Sequence, residues 1–398
     1  MQTLKDRFGW LIGPFTIASL WYGIYIGPGF AGGAQLVSYF VSIGWIGVFI
    51  GPIITTLAAS FLCFFVLEYS RTFKYYNFRE FYDGVYGPIK IVFANLKEFS
   101  AMLACITISA LSFATGGRLI AAITPIPFII AGLITIFIIA VLILCGQSIV
   151  LKSSAIITMA LIALLSYLGI RGLFSAWDGM ITYTTSHVMN LSYPKAWLRI
   201  ILYINIMVAF VDAAIPSSKG VVKTKRDSLA TAIIGGLLVF LSTIMMNILF
   251  ASGMPNVVGL DMPTIWVLEH IVGAEFGVKL LYTAIAYLAV ISTGAGYLYG
   301  MVERYQSLLH RIWKRSSLQH RRFILVIVLL LLGIYFGRMG IPDLVLKAYG
   351  LIGKINIPCF ELPFLIILPV QTYRYRKKHG LLGEPMSGWK TIEDATDF

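Results

Sequence analysis

The chain has 398 residues, of which 58% are apolar and 12% charged, and it carries a net charge of +13. A soluble domain holds about 25% charged residues, so this composition excludes a water-facing surface of ordinary size. The apolar residues also come in long blocks, not in the short alternating segments of a membrane β-barrel.

Residues 126–145 and 228–260 contain no charged side chain at all. Runs of ~18 or more apolar residues cross ~30 Å of hydrocarbon as a helix. In chain order the sequence predicts spans at 10–40, 43–67, 99–116, 127–145 and 153–170, then at 197–216, 229–251, 278–301, 323–336 and 344–370. The first of these follows a short basic start and lacks the compact core and small-residue cleavage site of a signal peptide, so it is expected to be a retained span. The reading is an all-α integral membrane protein of about ten transmembrane helices.

Lys and Arg concentrate on cytoplasmic connections, which fixes the orientation. With both termini inside, the external segments hold only Arg118, Arg171, Lys195, Arg199, Lys279 and Arg338, and Lys347 and Lys354 lie within the last span. All the rest of the 31 basic residues fall on the cytoplasmic side. The positive charge is therefore topology, and nucleic acid is not an expected partner. Lys152, at the start of the fifth span, reads as one of these topology residues.

Two connections are long. Residues 74–97 predict an amphipathic helix on the inner leaflet, and 172–196 an external segment over a vestibule. Domain boundaries follow: one transporter domain over 1–376, with repeats at about 8–172 and 195–372, and a cytoplasmic tail at 377–398 that is expected to be disordered. Cys63, Cys105, Cys145 and Cys359 lie far apart in or beside apolar segments, and the five histidines fall in polar connections. Neither set has metal-ligand spacing.

Within the first span, Ile26-Gly27-Pro28-Gly29-Phe30-Ala31-Gly32-Gly33 predicts a break near the bilayer centre. Interrupted backbone at that depth is tolerated only against protein or a water-filled cavity; the alternative is close helix packing through small residues. In the sixth span, Asp212 precedes Pro216, which removes a backbone donor and crowds the carbonyl four residues earlier. A carboxylate at the centre of a span costs about 2.5–3.5 kcal/mol on insertion scales and usually faces the bundle interior. The alternative is a carboxylate that snorkels to the inner surface or pairs with Lys219.

Breaks in spans one and six, with ten spans dividing into five and five, match an inverted repeat whose substrate lies between the two discontinuous helices. The stretch Gly27-Pro28-Gly29-Phe30-Ala31-Gly32-Gly33-Ala34-Gln35 resembles the G-x-G-F-A-[ST]-G-x-E signature of the YkvI family of bacterial membrane proteins. That family belongs to the amino acid–polyamine–organocation superfamily of LeuT-like transporters. Tyr76 to Tyr82 with Tyr86-Gly87-Pro88, and Ile291 to Tyr297 with Glu303-Arg304, are similar to the same family. The family's Ser/Thr is Gly32 here and its Glu is Gln35, so a coupling carboxylate is missing at that position.

The resemblance implies a LeuT-like fold in a bacterial cell membrane. It implies a solute carboxylate held by backbone N–H groups around Gly27, Gly29 and Phe30, with Ala31 and Gly32 beside them; Pro28 offers no N–H. It also implies a Na⁺ site between Ser292 and Thr293 of the eighth span and the carbonyls of Gly23 and Ile26, since a hard cation suits hydroxyl and carbonyl oxygens. Back-bonding of the two hydroxyls to the preceding helical turn is the alternative. Asn205, Tyr203, Phe210 and Asp212 of the sixth span are expected to line the same cavity, and Glu361 is a further buried carboxylate, either functional or structural.

No hydrolase triad, zinc-binding helix or phosphate-binding loop is present, and no enzymatic activity is expected. The sequence reading is a symporter of an amino acid or related amine, coupled to Na⁺ or H⁺, without a bound cofactor. Its partners are a small-molecule solute and the lipid bilayer, and its oligomeric state is open. A germinant-receptor-like sensor that keeps the fold but does not transport is the second reading.

Overall fold

The computed structural model describes residues 9–145, 147–186, 194–209 and 211–381. Among them the chain is helical throughout, with no strand. Six helices are long and apolar enough to cross a membrane, and a bent pair forms a seventh. Shorter apolar helices at Phe128–Leu144 and Ala196–Val208 occupy the fourth and sixth spans, and the broken first span completes ten.

The first span is interrupted twice. Its N-terminal helix, Ile12–Tyr25, ends where Ile26 leaves helical geometry and Gly27 becomes extended. A short helix, Pro28–Gly32, then starts with proline at its first position, where the missing N–H costs nothing. Gly33 turns the chain at φ +84°, and Ala34–Tyr39 continues toward the far side. The sequence predicted one unwound stretch; two kinks around a five-residue helix are found.

The second span runs Ile46–Phe73. The connection after it holds the expected short helix, Phe78–Tyr86, capped by the Asn77 side chain on the Arg79 N–H. Its buried face, Phe81, Tyr82, Val85 and Tyr86, joins the protein core instead of lying free on the leaflet. The third helix begins at Lys90, well before residue 99, so Lys97 belongs to the third span and not to the connection before it. Its side chain is buried, with the ammonium 5.5 Å from the Tyr82 ring centroid and 5.3 Å from that of Phe360.

The fifth helix, Gln147–Ser186, passes through Gly172 and bends by 71° between Met159–Ile170 and Phe174–Ser186. The predicted external connection is therefore helical up to Ser186. In the sixth span the described residues are helical over Pro194–Ala209 and Val211–Ser217. Phe210 itself and the side chains of Asp212 and Lys152 lie outside the described residues. Pro216 sits inside the second of these helices and does not end it.

The seventh and eighth spans are Lys225–Ser252 and Phe276–Ile312, with a short helix, Pro263–His270, between them. The ninth is Leu318–Gly337. The tenth, Ile341–Lys378, is continuous where Gly350, Gly353 and Pro358 suggested interruption. It absorbs them as two π-helical turns, Leu344–Tyr349 and Ile357–Glu361, which widen the helix and free carbonyls without unwinding it.

Spans three, four, eight and nine share their own apolar cluster, which includes Cys105, Phe113, Ile139, Ala295 and Val326. The larger cluster joins the first, second, fifth, sixth, seventh and tenth spans around Trp21, Tyr25, Tyr39, Val66, Tyr203, Val239 and Leu368, and takes in one face each of the third and eighth, such as Leu111 and Ala286. Lipid-facing positions such as Phe61, Phe137, Leu237 and Leu331 are exposed. The chain thus forms a multi-pass membrane bundle, and the broken first span lies where the two clusters meet.

Candidate functional site

Gly27 marks the centre of the site. A Cβ there would stand 3.1 Å from both the Ile24 carbonyl oxygen and Cγ2 of Thr293, so the eighth span approaches the break as closely as a glycine allows. The Thr293 hydroxyl donates to the Gly23 carbonyl at 3.2 Å. That carbonyl belongs to the last turn of Ile12–Tyr25, where the helix offers no further N–H partners. Ser292 is also engaged, and Ile26 is buried next to the break.

On the other side of the break the freed carbonyls are taken up by neighbouring spans. The Thr115 hydroxyl of the third span donates to the Pro28 carbonyl at 3.1 Å. The Ala31 carbonyl accepts from Tyr282 of the eighth span at 2.7 Å and from Thr264 of the 263–270 helix at 3.2 Å. Gly32 lies under the Asp261 carbonyl and the Met262 sulfur. Ala31 and Gly32 therefore anchor the break to its surroundings and are covered by residues 261–264.

A buried polar chain runs from the first span to the sixth and seventh. Thr243 donates to the Val239 carbonyl at 2.7 Å, which uses its only proton. Tyr25 must then donate to Thr243, at 2.9 Å. With that proton spent, Tyr203 donates to Tyr25 at 2.6 Å and accepts from the Gln35 amide at 3.0 Å. The direction of every bond follows from the last one. The same logic orients Gln35: its Nε2 faces Tyr203, and its Oε1 lies 2.5 Å from where a Cβ on Gly29 would stand. Phe30, Tyr39 and Phe40 pack around this chain, Tyr203 to Phe40 at 4.3 Å between ring centroids.

Asn205 faces a different neighbour. Its Oδ1 accepts from Asn356 of the tenth span at 2.7 Å, and Asn356 accepts from Ser100 of the third at 2.6 Å. All three are buried. Glu361 is buried one turn beyond, in the π-helical segment. The sequence thus brings together Gly23, Gly27 and Thr293, and separately Gln35 and Tyr203. Asn205 belongs to a strap between spans three, six and ten.

Two ends close over the site. At one end, Asp261 pairs with Arg118 at 2.7 Å and accepts the Ile341 N–H at 3.0 Å, which joins the third and tenth spans. At the end where the tenth span finishes, Glu68 of the second span binds Arg71, Arg376 of the tenth and Ser228 of the seventh. Sequence reading missed Glu68, because an acid three residues before an Arg at a helix end looks like an ordinary surface pair. Its signal was being the sole acid of a span whose one other charged residue is Arg71.

No known family's sequence model matches the chain. It is 23% identical over 364 residues to the uncharacterized protein YyaD of Bacillus subtilis (strain 168), covering 87% of this chain and 94% of that one. Among solved structures it is similar to the nucleobase-cation-symport-1 family transporter Mhp1 in a closed conformation with bromovinylhydantoin bound. The TM-score is 0.55 at 15% identity, over 94% of this chain and 95% of that one. It is similar to a manganese transporter of Eremococcus coleocola, with TM-score 0.58, 13% identity, and coverage of 100% and 92%. It is also similar to MhsT in complex with L-phenylalanine, with TM-score 0.57, 13% identity, and coverage of 91% and 97%. These likenesses define a LeuT-like fold of five plus five helices. The neighbours are transporters and not enzymes.

Proposed function

We propose that the chain is an ion-coupled secondary transporter of a small organic solute, an amino acid or related amine, working by alternating access. The observation that carries this reading is the contact between Thr293 and Gly23 at the break of the first span. In this reading that hydroxyl and the helix-end carbonyl are oxygen ligands of the kind a hard cation takes, with Ile26 and Ser292 as the remaining candidates. Structural neighbours that are secondary transporters support the same class.

Around the break the side chains are hydroxyls, one carboxamide and aromatic rings. A site with few placed polar groups and an apolar wall suits an organic solute with a polar head. In this reading Gly27, Gly29 and Phe30 supply backbone contacts, and Phe210 and Asp212 complete the site from the sixth span. Kinship with the YkvI proteins of the amino acid–polyamine–organocation superfamily belongs to the same proposal. So does placement in a bacterial plasma membrane with both termini cytoplasmic, one transporter domain over 1–376 and a tail at 377–398.

The test is a thermal-stability screen of the purified protein against amino acids and amines, in Na⁺ and in a Na⁺-free buffer at two pH values. A shift for one solute that grows with Na⁺ or with protons supports coupling. A shift identical in every ionic condition removes it. Gln35 favours a second reading, a ligand sensor: a neutral amide locked to Tyr203 stands where the resembling family has a carboxylate. Binding without solute exchange across proteoliposomes would decide for the sensor.

A further inference from the structure

We propose that Glu68 is the keystone of a latch that closes the bundle at the end where the tenth span finishes, and that its release opens a route from that side to the buried core. The inference rests on the alternating-access reading, which requires the helices at one end to part while the other end stays shut.

The geometry is that of a filled carboxylate. Oε1 accepts from Arg71 Nε at 3.0 Å and from Ser228 Oγ at 2.7 Å; Oε2 accepts from Arg71 Nη2 at 2.9 Å and from Arg376 Nη2 at 2.7 Å. All four acceptor positions of the carboxylate are occupied. The side chains are withdrawn from solvent, Glu68 at 4%, Arg71 at 7% and Arg376 at 9% exposure. Arg376 also donates to Thr72 at 3.0 Å, and Arg71 reaches the Lys223 carbonyl at 3.4 Å in the connection before the seventh span. One carboxylate therefore holds the second, seventh and tenth spans together.

One turn away a neutral pair repeats the tie: Tyr69 donates to Gln371 at 2.9 Å, and Gln371 donates to the Val85 carbonyl of the 78–86 helix at 3.1 Å. The contacts run between elements of the larger apolar cluster and bypass the cluster of spans three, four, eight and nine. Removing the carboxylate leaves two guanidiniums facing each other in a buried site, and breaking a buried pair on one side is far more disruptive than never having it. In the proposed latch the three spans are held at this end by Glu68 and part when its carboxylate is withdrawn.

Two native cysteines report on this without any solute. Cys63 lies on the second span, five residues before Glu68 and about 7.5 Å along the helix, and is buried in the larger cluster. Cys105 is equally buried but belongs to the other cluster. The experiment is N-ethylmaleimide labelling of the full-length protein in membranes, read peptide by peptide. The variants are Glu68→Gln and, independently, Arg376→Met. The latch predicts that Cys63 labels about tenfold faster in both variants, as in a sub-global opening, while Cys105 stays as slow as in the unmodified protein. Unchanged Cys63 labelling overturns the proposal. Parallel acceleration of Cys63 and Cys105 also overturns it, because the cluster would then hold the whole fold and not a gate. A chain that binds solute without transporting it would still show the selective Cys63 response, so failure of the transporter reading is separable from failure of the latch.

Discussion

The Thr293 hydroxyl of the eighth span donates to the Gly23 carbonyl across the break of the first, at 3.2 Å. The sequence left this hydroxyl as either a Na⁺ ligand implied by the resemblance or back-bonded within its own helix; its proton goes instead across to the first span. The contact spans 270 residues of chain and depends on Gly27, since any side chain there meets Thr293 within 3.1 Å.

Thr293→Val keeps the shape and removes the oxygen. The expected outcome is loss of any Na⁺-dependent rise in Tm with little change in Tm without Na⁺, and recovery of the Na⁺ effect in Thr293→Ser. A net hydrogen bond contributes about 0.5–1.5 kcal/mol, so the fold itself tolerates the change. An undiminished Na⁺ response in the valine variant would take Thr293 out of the ion site.

Gly33→Ala is expected to destabilise the protein. The residue sits at φ +84°, where a Cβ costs about 1–2 kcal/mol. The added methyl would also stand 2.5 Å from the Phe250 ring and 2.7 Å from the Thr264 hydroxyl. A lowered Tm and faster proteolysis of residues 261–264, which lean on this turn, check the prediction.

Gln35 and Tyr203 are expected to be coupled in stability. Tyr203→Phe leaves a buried amide donor without its acceptor, a loss of about 1–3 kcal/mol. Gln35→Leu made on top of it should cost less than on the unmodified protein. A double-mutant cycle in chemical denaturant should show a coupling of about 0.5–3 kcal/mol; strict additivity would mean the chain from Gln35 to Thr243 does not act as a unit.

Asp212→Asn is expected to abolish or uncouple solute uptake while leaving expression and folding largely intact. Normal uptake by that variant in proteoliposomes would remove Asp212 from the mechanism.

The spans were legible because a charge-free run long enough to cross a bilayer has few alternatives, and the break at Gly27 because glycine and proline cluster there. Thr293 and Gly23 were named together only as ligands of a cation that the resemblance implies; their direct hydrogen bond was not foreseen. Local composition misjudged the tenth span: Gly350, Gly353 and Pro358 read as interruptions, but π-helical turns absorb them. Residues 90–97 read as part of the amphipathic connection before the third span because Lys97 is charged, whereas they open the third helix itself, and aromatic faces of Tyr82 and Phe360 let the ammonium be buried. Glu68 and Asn356 were invisible for a related reason. Their partners, Arg376 and Ser228 for one, Asn205 and Ser100 for the other, lie more than 150 residues away, and single-sequence periodicity carries no information on such pairings.

The measurement that bears most directly on the account is solute accumulation in proteoliposomes reconstituted with the full-length protein. The solute is the amino acid or amine that gives the largest thermal shift, and a Na⁺ or proton gradient is imposed across the bilayer. The account predicts accumulation above the external concentration that collapses when the gradient is dissipated and is lost in Thr293→Val. Saturable binding with no accumulation under either gradient would contradict it.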